Sequence, residues 1–386
     1  MRNPPVYLDY NATTPCDPKV VEAMLPFFTE QFGNAASRTH AYGWLAEEAV
    51  EEARAQLARV IGAEPLEIIF TSGATEAANL AIKGMFERAS GPDKHIITLK
   101  TEHKAVLDCC RRVEEAGGTV TYLEVNAAGL PDVQELEAAI QPNTALIAAM
   151  YANNETGVIQ PVKEIAGIAA KHGVPFFCDA VQAVGKIPVD VKEEGVDLLA
   201  FSAHKMYGPK GVGALYISRK LSGRKPVPQI EGGGHERGQR SGTLNVPGIV
   251  GFGKAAELAM AGMEAEFSRL KRLRDKLENA LRRVEGSHVN GYSSPRLPHV
   301  CNISFEAVEG ERLLLQLAKS LAVSSGSACS SVTQQPSHVL EAMGVPHRLA
   351  MSTLRLSLGR FTTEEEVDFA IGEIGKTIEI LRQVRK

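Results

Sequence analysis

Seven short stretches, 67–71, 95–99, 119–125, 145–151, 175–179, 198–202 and 213–217, are apolar almost without interruption. Amphipathic stretches with a helical period run between them. Short unbroken apolar runs suit strands buried on both faces of a sheet that helices cover. Their alternation with helices predicts an α/β fold whose open, seven-stranded sheet is mainly parallel. In 42–61, Val50, Ala53, Leu57, Val60 and Ile61 fall on one helical stripe, and Gly62 stops it. Beyond about residue 255 the texture changes. A long charged helix over 253–284 leads into a mixed α+β region. Thr363 and Glu366 make a capping-box pair before the last helix, whose apolar stripe includes Val367, Ala370, Ile374 and Ile378. The pattern divides the chain into a large domain, 15–255, and a smaller α+β C-terminal domain, 256–386, with which residues 1–14 pack.

Of 386 residues, 44% are hydrophobic and 23% charged, enough apolar material for a large core, which excludes general disorder. Against 46 Asp and Glu stand 42 Lys and Arg, a net charge of −4. Without a basic field, nucleic acid is not an expected partner. No apolar run approaches the ~18–20 residues of a membrane span, so no membrane role is expected. The opening Met-Arg-Asn-Pro-Pro lacks a signal peptide's apolar core. Cys16, Cys109, Cys110, Cys178, Cys301 and Cys329 are scattered, with neither C-x-x-C nor zinc spacing. A reducing cytoplasm is the expected setting.

Several places can carry chemistry. After the strand EIIF, Thr71-Ser72-Gly73-Ala74-Thr75-Glu76 turns into a helix whose free N–H groups and positive dipole end would cradle a phosphate. An ordinary capped turn is the alternative. Asp179 ends the strand PFFCD, pointing to the crevice where open α/β sheets bind ligands, unless it only caps a helix. Ser202 ends the strand DLLAFS, and His204 and Lys205 follow it. A lysine held at a strand end can become a Schiff-base nucleophile, whereas a surface lysine in a Gly-rich loop would do nothing. Together, lysine, carboxylate and cradle are the set pyridoxal phosphate needs. Cys329 is centred in the Ser/Gly loop 324–331, where a thiol can be both mobile and accessible. Arg355 sits among apolar neighbours and needs an anion, either a substrate carboxylate or a structural ion pair. The stretch GGGHERGQRSGT (232–243) reads as a linker or as a flap over an anionic ligand.

These residues resemble those of the cysteine desulfurases, the NifS/IscS-like branch of the class V aminotransferase family. The resemblance rests on LDYNATT (8–14), FTSGATE (70–76), TEHKAVL (101–107), NNETG (153–157), DAVQAVGK (179–186), HKMYGPKG (204–211), GGGHERGQRSGT (232–243), SSGSACSS (324–331) and LSLGRFTTEEE (356–366). It implies a fold-type I enzyme using pyridoxal 5′-phosphate. Lys205 anchors the cofactor covalently, and His103 stacks on its ring and shuttles protons. Asp179 bonds the pyridine nitrogen and Gln182 the phenolic oxygen. Ala74, Thr75, Ser202 and His204 bind the phosphate, and Thr243 reaches the phosphate of a neighbouring subunit in a homodimer. Asn154 and Arg355 hold the substrate, L-cysteine, with Arg355 on its carboxylate. Cys329 attacks the substrate sulfur, leaving alanine and a persulfide. The persulfide passes to a sulfur acceptor or iron–sulfur scaffold protein. Cys329 is also a transient iron–sulfur ligand on this reading, although one cysteine cannot complete a cluster site.

The stretch 324–336 resembles the family's longer-loop group. Ala35, Tyr151 and Met351 depart from the usual pattern, at positions given no catalytic role. The chain also ends directly after its last helix, a region that relatives use to dock a scaffold. Two other functions stay open on the sequence. A selenocysteine lyase would not need Cys329, because a selenol leaves unaided. A partner-binding platform would not need Lys205.

Overall fold

Each of the seven apolar runs forms a strand in the computed structural model, which describes residues 5–91, 93–325 and 335–384. The strands are β2 (Ile68–Thr71), β3 (His95–Leu99), β4 (Thr119–Leu123), β5 (Thr144–Met150), β6 (Phe176–Asp179), β7 (Leu198–Ser202) and β8 (Gly213–Ile217). They make one sheet in the order β2-β8-β7-β6-β5-β3-β4. Only β8 runs against the direction of the other six strands, pairing antiparallel with β2 and β7. Helices cover both faces, so the inner strands are buried throughout. One core includes Leu57, Phe176, Phe201 and Phe252. The core on the opposite face includes Ile82, Val106, Phe177 and Leu215.

The chain passes from β3 outward to β4, returns to β5 on the other side of β3, and continues to β6 and β7. That reversal opens a crevice beyond the C-terminal ends of the parallel strands. The remaining strands are β1 (Val6–Tyr7), β9 (Ser287–Val289), β10 (Val300–Phe305), β11 (Leu321–Ala322) and β12 (Thr353–Ser357). β12, β10 and β9 form an antiparallel sheet, and β1 pairs with β11 in parallel.

The long helix starts earlier than its pattern suggests, spanning Val246–Leu281. Asn245 caps it, its Oδ1 accepting from Gly248 N at 3.2 Å. Gly251 and Gly253 weaken the helical signal there but are demanded by packing. A Cβ on Gly253 would lie 2.7 Å from Ala53 Cα, and one on Gly251 2.5 Å from Met24 Sδ. Tertiary contact overrides local propensity. The first half of this helix contributes Ile249, Phe252 and Ala256 to the sheet's core. Its second half contributes Leu270, Leu273 and Leu277 to a separate core with Val6, Leu8 and the last helix, Glu364–Val384. The capping box is reciprocal: Thr363 N donates to Glu366 Oε2 at 3.1 Å and Glu366 N to Thr363 Oγ1 at 3.2 Å. Among the described residues no helix is long and apolar enough to cross a membrane.

Candidate active site

All the site residues named from the sequence except Cys329 and Thr243 line one cavity of about 650 Å³ at the C-terminal ends of the parallel strands. The phosphate-cradle turn follows β2. Gly73 caps the helix Ala74–Arg88, so the amides of Ala74 and Thr75 open it. Thr71 Oγ1 donates to Gly73 O at 3.0 Å, and Ser72 N donates to Glu76 Oε2 at 2.7 Å. A Cβ on Gly213 would lie 2.6 Å from Gly73 Cα, so β8 can approach the turn only as glycine.

Beyond β3, His103 caps the helix Lys104–Glu115, its Nδ1 accepting from Ala105 N at 3.1 Å. The neutral ring therefore carries its proton on Nε2. Burial pushes the ring's pKa down, and Asp179 partly restores it. Asp179 is buried at the end of β6, and its Oδ1 accepts from Val181 N at 3.1 Å. A run of turns follows, with no helix for it to cap. Burial pushes this carboxyl up, while His103 and Lys205 draw it back down.

Lys205 follows β7 in a 3-10 turn, its Nζ donating to Asn11 O at 2.6 Å and Ala12 O at 2.7 Å. It is therefore a cavity lysine and not a surface one. Two residues on, Tyr207 holds a left-handed φ of 66°, its N–H donating to Thr14 Oγ1 at 2.9 Å. That bond secures a costly backbone turn beside the amine. His204 Nδ1 lies 3.1 Å from Thr13 Oγ1, and burial pushes this ring down to about 4, so it is neutral near pH 7.

Arg355, on β12, makes a structural ion pair and also lines the cavity. Nη2 is paired with Asp9 Oδ1 at 2.7 Å and Nη1 donates to Asn154 O at 3.1 Å, while Nε is buried without a partner and the residue lines the cavity. Asn154 lines the cavity through the turn after β5. Asn153 shapes that turn, its Oδ1 accepting from Glu155 N and Thr156 N at 2.9 and 3.0 Å.

Thr243 is exposed and lies outside its own chain's cavity. Its loop is tied to β2 by Glu236, whose carboxylate holds Arg54 through two 2.8 Å bonds and accepts from Phe70 N at 2.8 Å. Cys329 lies outside the described residues. The chain flanking it meets the cavity wall on both sides. Arg355 N donates to Ser324 O at 2.7 Å, and His338 Nε2 lies 3.0 Å from Glu102 O. Among the described residues no group of three or more His, Cys, Asp and Glu side chains is placed to hold a metal ion.

Sequence reasoning passed over Asn11, Glu155 and His338, which also line the cavity. Asn11 and Glu155 stood inside quoted motifs, LDYNATT and NNETG, but no spacing rule joins them to the cavity. Glu155 is buried, and burial raises its carboxyl to about 7 against the pull of Ser337 and Arg355. The Ser337 hydroxyl donates to Glu155 while accepting from Val339 N at 3.1 Å. With its folded pKa above the unfolded value of 4.5, the native state holds the extra proton between about 4.5 and 7. This group's contribution is therefore lost as pH rises through that window. Glu155→Gln should make the fall of stability between pH 5 and 7 shallower by about 1.4 kcal/mol per pH unit, read by urea denaturation. An unchanged slope would mean that the carboxylate is ionised throughout.

The cavity falls within the usual ~300–1,000 Å³ of ligand sites. Its donors fit pyridoxal 5′-phosphate: a helix N-terminus with Thr75 and Ser202 for the phosphate, Asp179 for the pyridine nitrogen and Lys205 for the aldehyde. A mainly parallel α/β sheet that brings these groups to one crevice defines a fold-type I pyridoxal-phosphate enzyme.

The chain belongs to the class V aminotransferases: the family model "Aminotransferase class-V" matches residues 6–369. It is 55% identical over 381 residues to a protein named cysteine desulfurase IscS from Anaeromyxobacter dehalogenans (strain 2CP-C), covering 98% of this chain and 94% of that one. Among solved structures, it is similar to a NifS-like protein at 39% identity and a TM-score of 0.90, over 98% of this chain and all of that one. It is also similar to a cysteine desulfurase from Thermococcus onnurineus NA1, at 26% identity and a TM-score of 0.88, over 98% of this chain and 96% of that one.

Proposed function

We propose that this chain is a pyridoxal-phosphate-dependent cysteine desulfurase, converting L-cysteine to L-alanine and passing the sulfur on for iron–sulfur cluster assembly and other thio-cofactors. The observation that carries the reading is the meeting of Lys205, Asp179, His103 and the Ala74–Thr75 cradle in one cavity. When bound, the cofactor supplies an electron sink that lets an amino acid lose its Cα proton and then break its Cβ–Sγ bond.

The chain's own residues do the rest. Asp179, held negative by a bound pyridinium, keeps that nitrogen protonated. His103 holds its Nε2 proton in the cavity, and Lys205 is the amine that takes and returns the Cα proton. Arg355 and Asn154 orient the substrate, the guanidinium on its carboxylate. Cys329 is the thiol that takes the sulfur. The other five cysteines are poor nucleophiles: burial raises Cys109 to about 11 and also pushes up Cys16, Cys110, Cys178 and Cys301. Both flanks of the 326–334 segment start from the cavity wall, which supports a thiol within reach of the substrate. Purified protein loaded with pyridoxal phosphate and given L-cysteine with a reducing thiol should release alanine and sulfide in equal amounts. Alanine without sulfide or persulfide would sink the reading.

The partner we assign first is a second copy of the chain, with a sulfur acceptor or scaffold protein receiving the persulfide in a cytoplasmic setting. Leu25, Phe28, Phe32, Tyr42 and Trp44 are all more than half exposed, an apolar surface that a monomer would leave wet. Thr243, exposed on a loop anchored by Glu236, supports a role toward a neighbour. Phe32→Glu with Trp44→Glu should shift the protein from dimer to monomer in light scattering and weaken cofactor binding by about tenfold. A wild-type monomer would overturn the assignment.

A further inference from the structure

Lys186 lies four residues beyond Gln182 in the run of turns that follows β6. Its ammonium makes one hydrogen bond among the described residues, to Gln182 Oε1 at 2.8 Å. Lys186 is part-buried, and an ammonium held there without a carboxylate partner loses part of its hydration, so a bare structural role explains it poorly. Desolvation lowers it to about 7. Lys205 and Arg355 push the same way, and Glu266 opposes them. On one side it borders a cavity of about 10 Å³, room for about one water, shared with Glu266 and His299.

The hydrogen-bond directions give this placement a consequence. Asn11 O can only accept, so the Gln182 amide presents its nitrogen there and its oxygen to Lys186 whether or not that amine is protonated, and the amide cannot be flipped. Gln182 Nε2 must then face the other way, and it donates to Asn11 O at 3.1 Å. Asn11 O also accepts from Lys205 Nζ at 2.6 Å, and Asn11 Oδ1 lies 2.9 Å from Nε2 of His299, a ring that burial holds neutral. Gln182 lines the large cavity, and its second N–H is left for whatever binds there.

We propose that Lys186 is a positioning residue for the cofactor site: it locks the Gln182 amide with its nitrogen toward the cavity and adds positive potential at the anionic oxygen that Gln182 binds. This rests on the reading of the cavity as a pyridoxal-phosphate site, where that oxygen is the phenolate. Loss of a nearby positive charge favours the protonated form, so the pH at which bound cofactor changes its visible absorbance must rise.

The test uses the full-length protein and pyridoxal 5′-phosphate itself. Lys186→Met should move the absorbance midpoint up by about one pH unit and weaken cofactor binding several-fold, and Lys186→Arg should restore most of both. In a Gln182→Leu background, Lys186→Met should have little further effect, because the influence runs through Gln182. Lys186→Gln, which keeps a donor without the charge, carries the same test should the methionine variant fail to fold. A midpoint within about 0.2 unit of wild type, with unchanged affinity, overturns the inference. Wild-type protein that binds no cofactor overturns the underlying reading instead.

Discussion

Lys205→Ala protein should fold, show no lysine-linked visible absorbance after gel filtration with pyridoxal phosphate, and lose alanine formation by a factor on the order of 1,000 or more. The expectation follows from position. Lys205 is a cavity amine held just beyond the end of β7, and its Nζ donates to the main-chain carbonyls Asn11 O and Ala12 O. Lys186 is turned toward Gln182 and cannot replace it. Thermal unfolding should change little, because the carbonyls that removing Lys205 exposes, Asn11 O and Ala12 O among them, can be hydrated inside an open cavity. Alanine formation within about tenfold of wild type would show that the chemistry does not need this lysine. A partner-binding platform would show neither loss.

Cys329→Ala should have the second large effect, with the opposite spectral signature. The variant should take up cofactor as wild type does, bind L-cysteine, and lose sulfide release and protein persulfide by a factor on the order of 100 or more. The five remaining thiols are all pushed up by burial, so none is ready to substitute. Selenocysteine separates the two related chemistries, since a selenol leaves without an attacking thiol. Cys329→Ala should therefore keep most of any selenocysteine activity. Full activity on L-cysteine would instead make the persulfide route wrong.

Much of the fold was legible because buried strands and helices have periods that a sequence displays. The seven apolar runs became the seven strands, and the Thr363–Glu366 box formed as written. The start of the long helix was not legible. Its early glycines weaken the helical pattern, yet Gly251 and Gly253 are where other elements press in. The cofactor set was legible as residue types at strand ends, because the C-terminal edge of a parallel sheet is where such side chains converge. Asp179, Lys205 and His103 sit at or just beyond the ends of β6, β7 and β3. Glu155, Asn11 and His338 escaped that logic. They reach the cavity from a turn, from the N-terminal segment and from beyond the second core, and no sequence period connects such distant places.

The sequence by itself therefore determined the α/β class, the alternation of elements and the chemical identity of the principal groups, since local pattern and residue type suffice for these. Only the tertiary structure decided what each group faces. It split Arg355 between Asp9 and the cavity, and it buried Glu155 deeply enough to move its titration. It also set Lys186 against the oxygen of Gln182 and so chose which end of that amide meets the cavity. These are consequences of distance and desolvation between residues up to several hundred positions apart, and such quantities come into being only when the chain closes on itself.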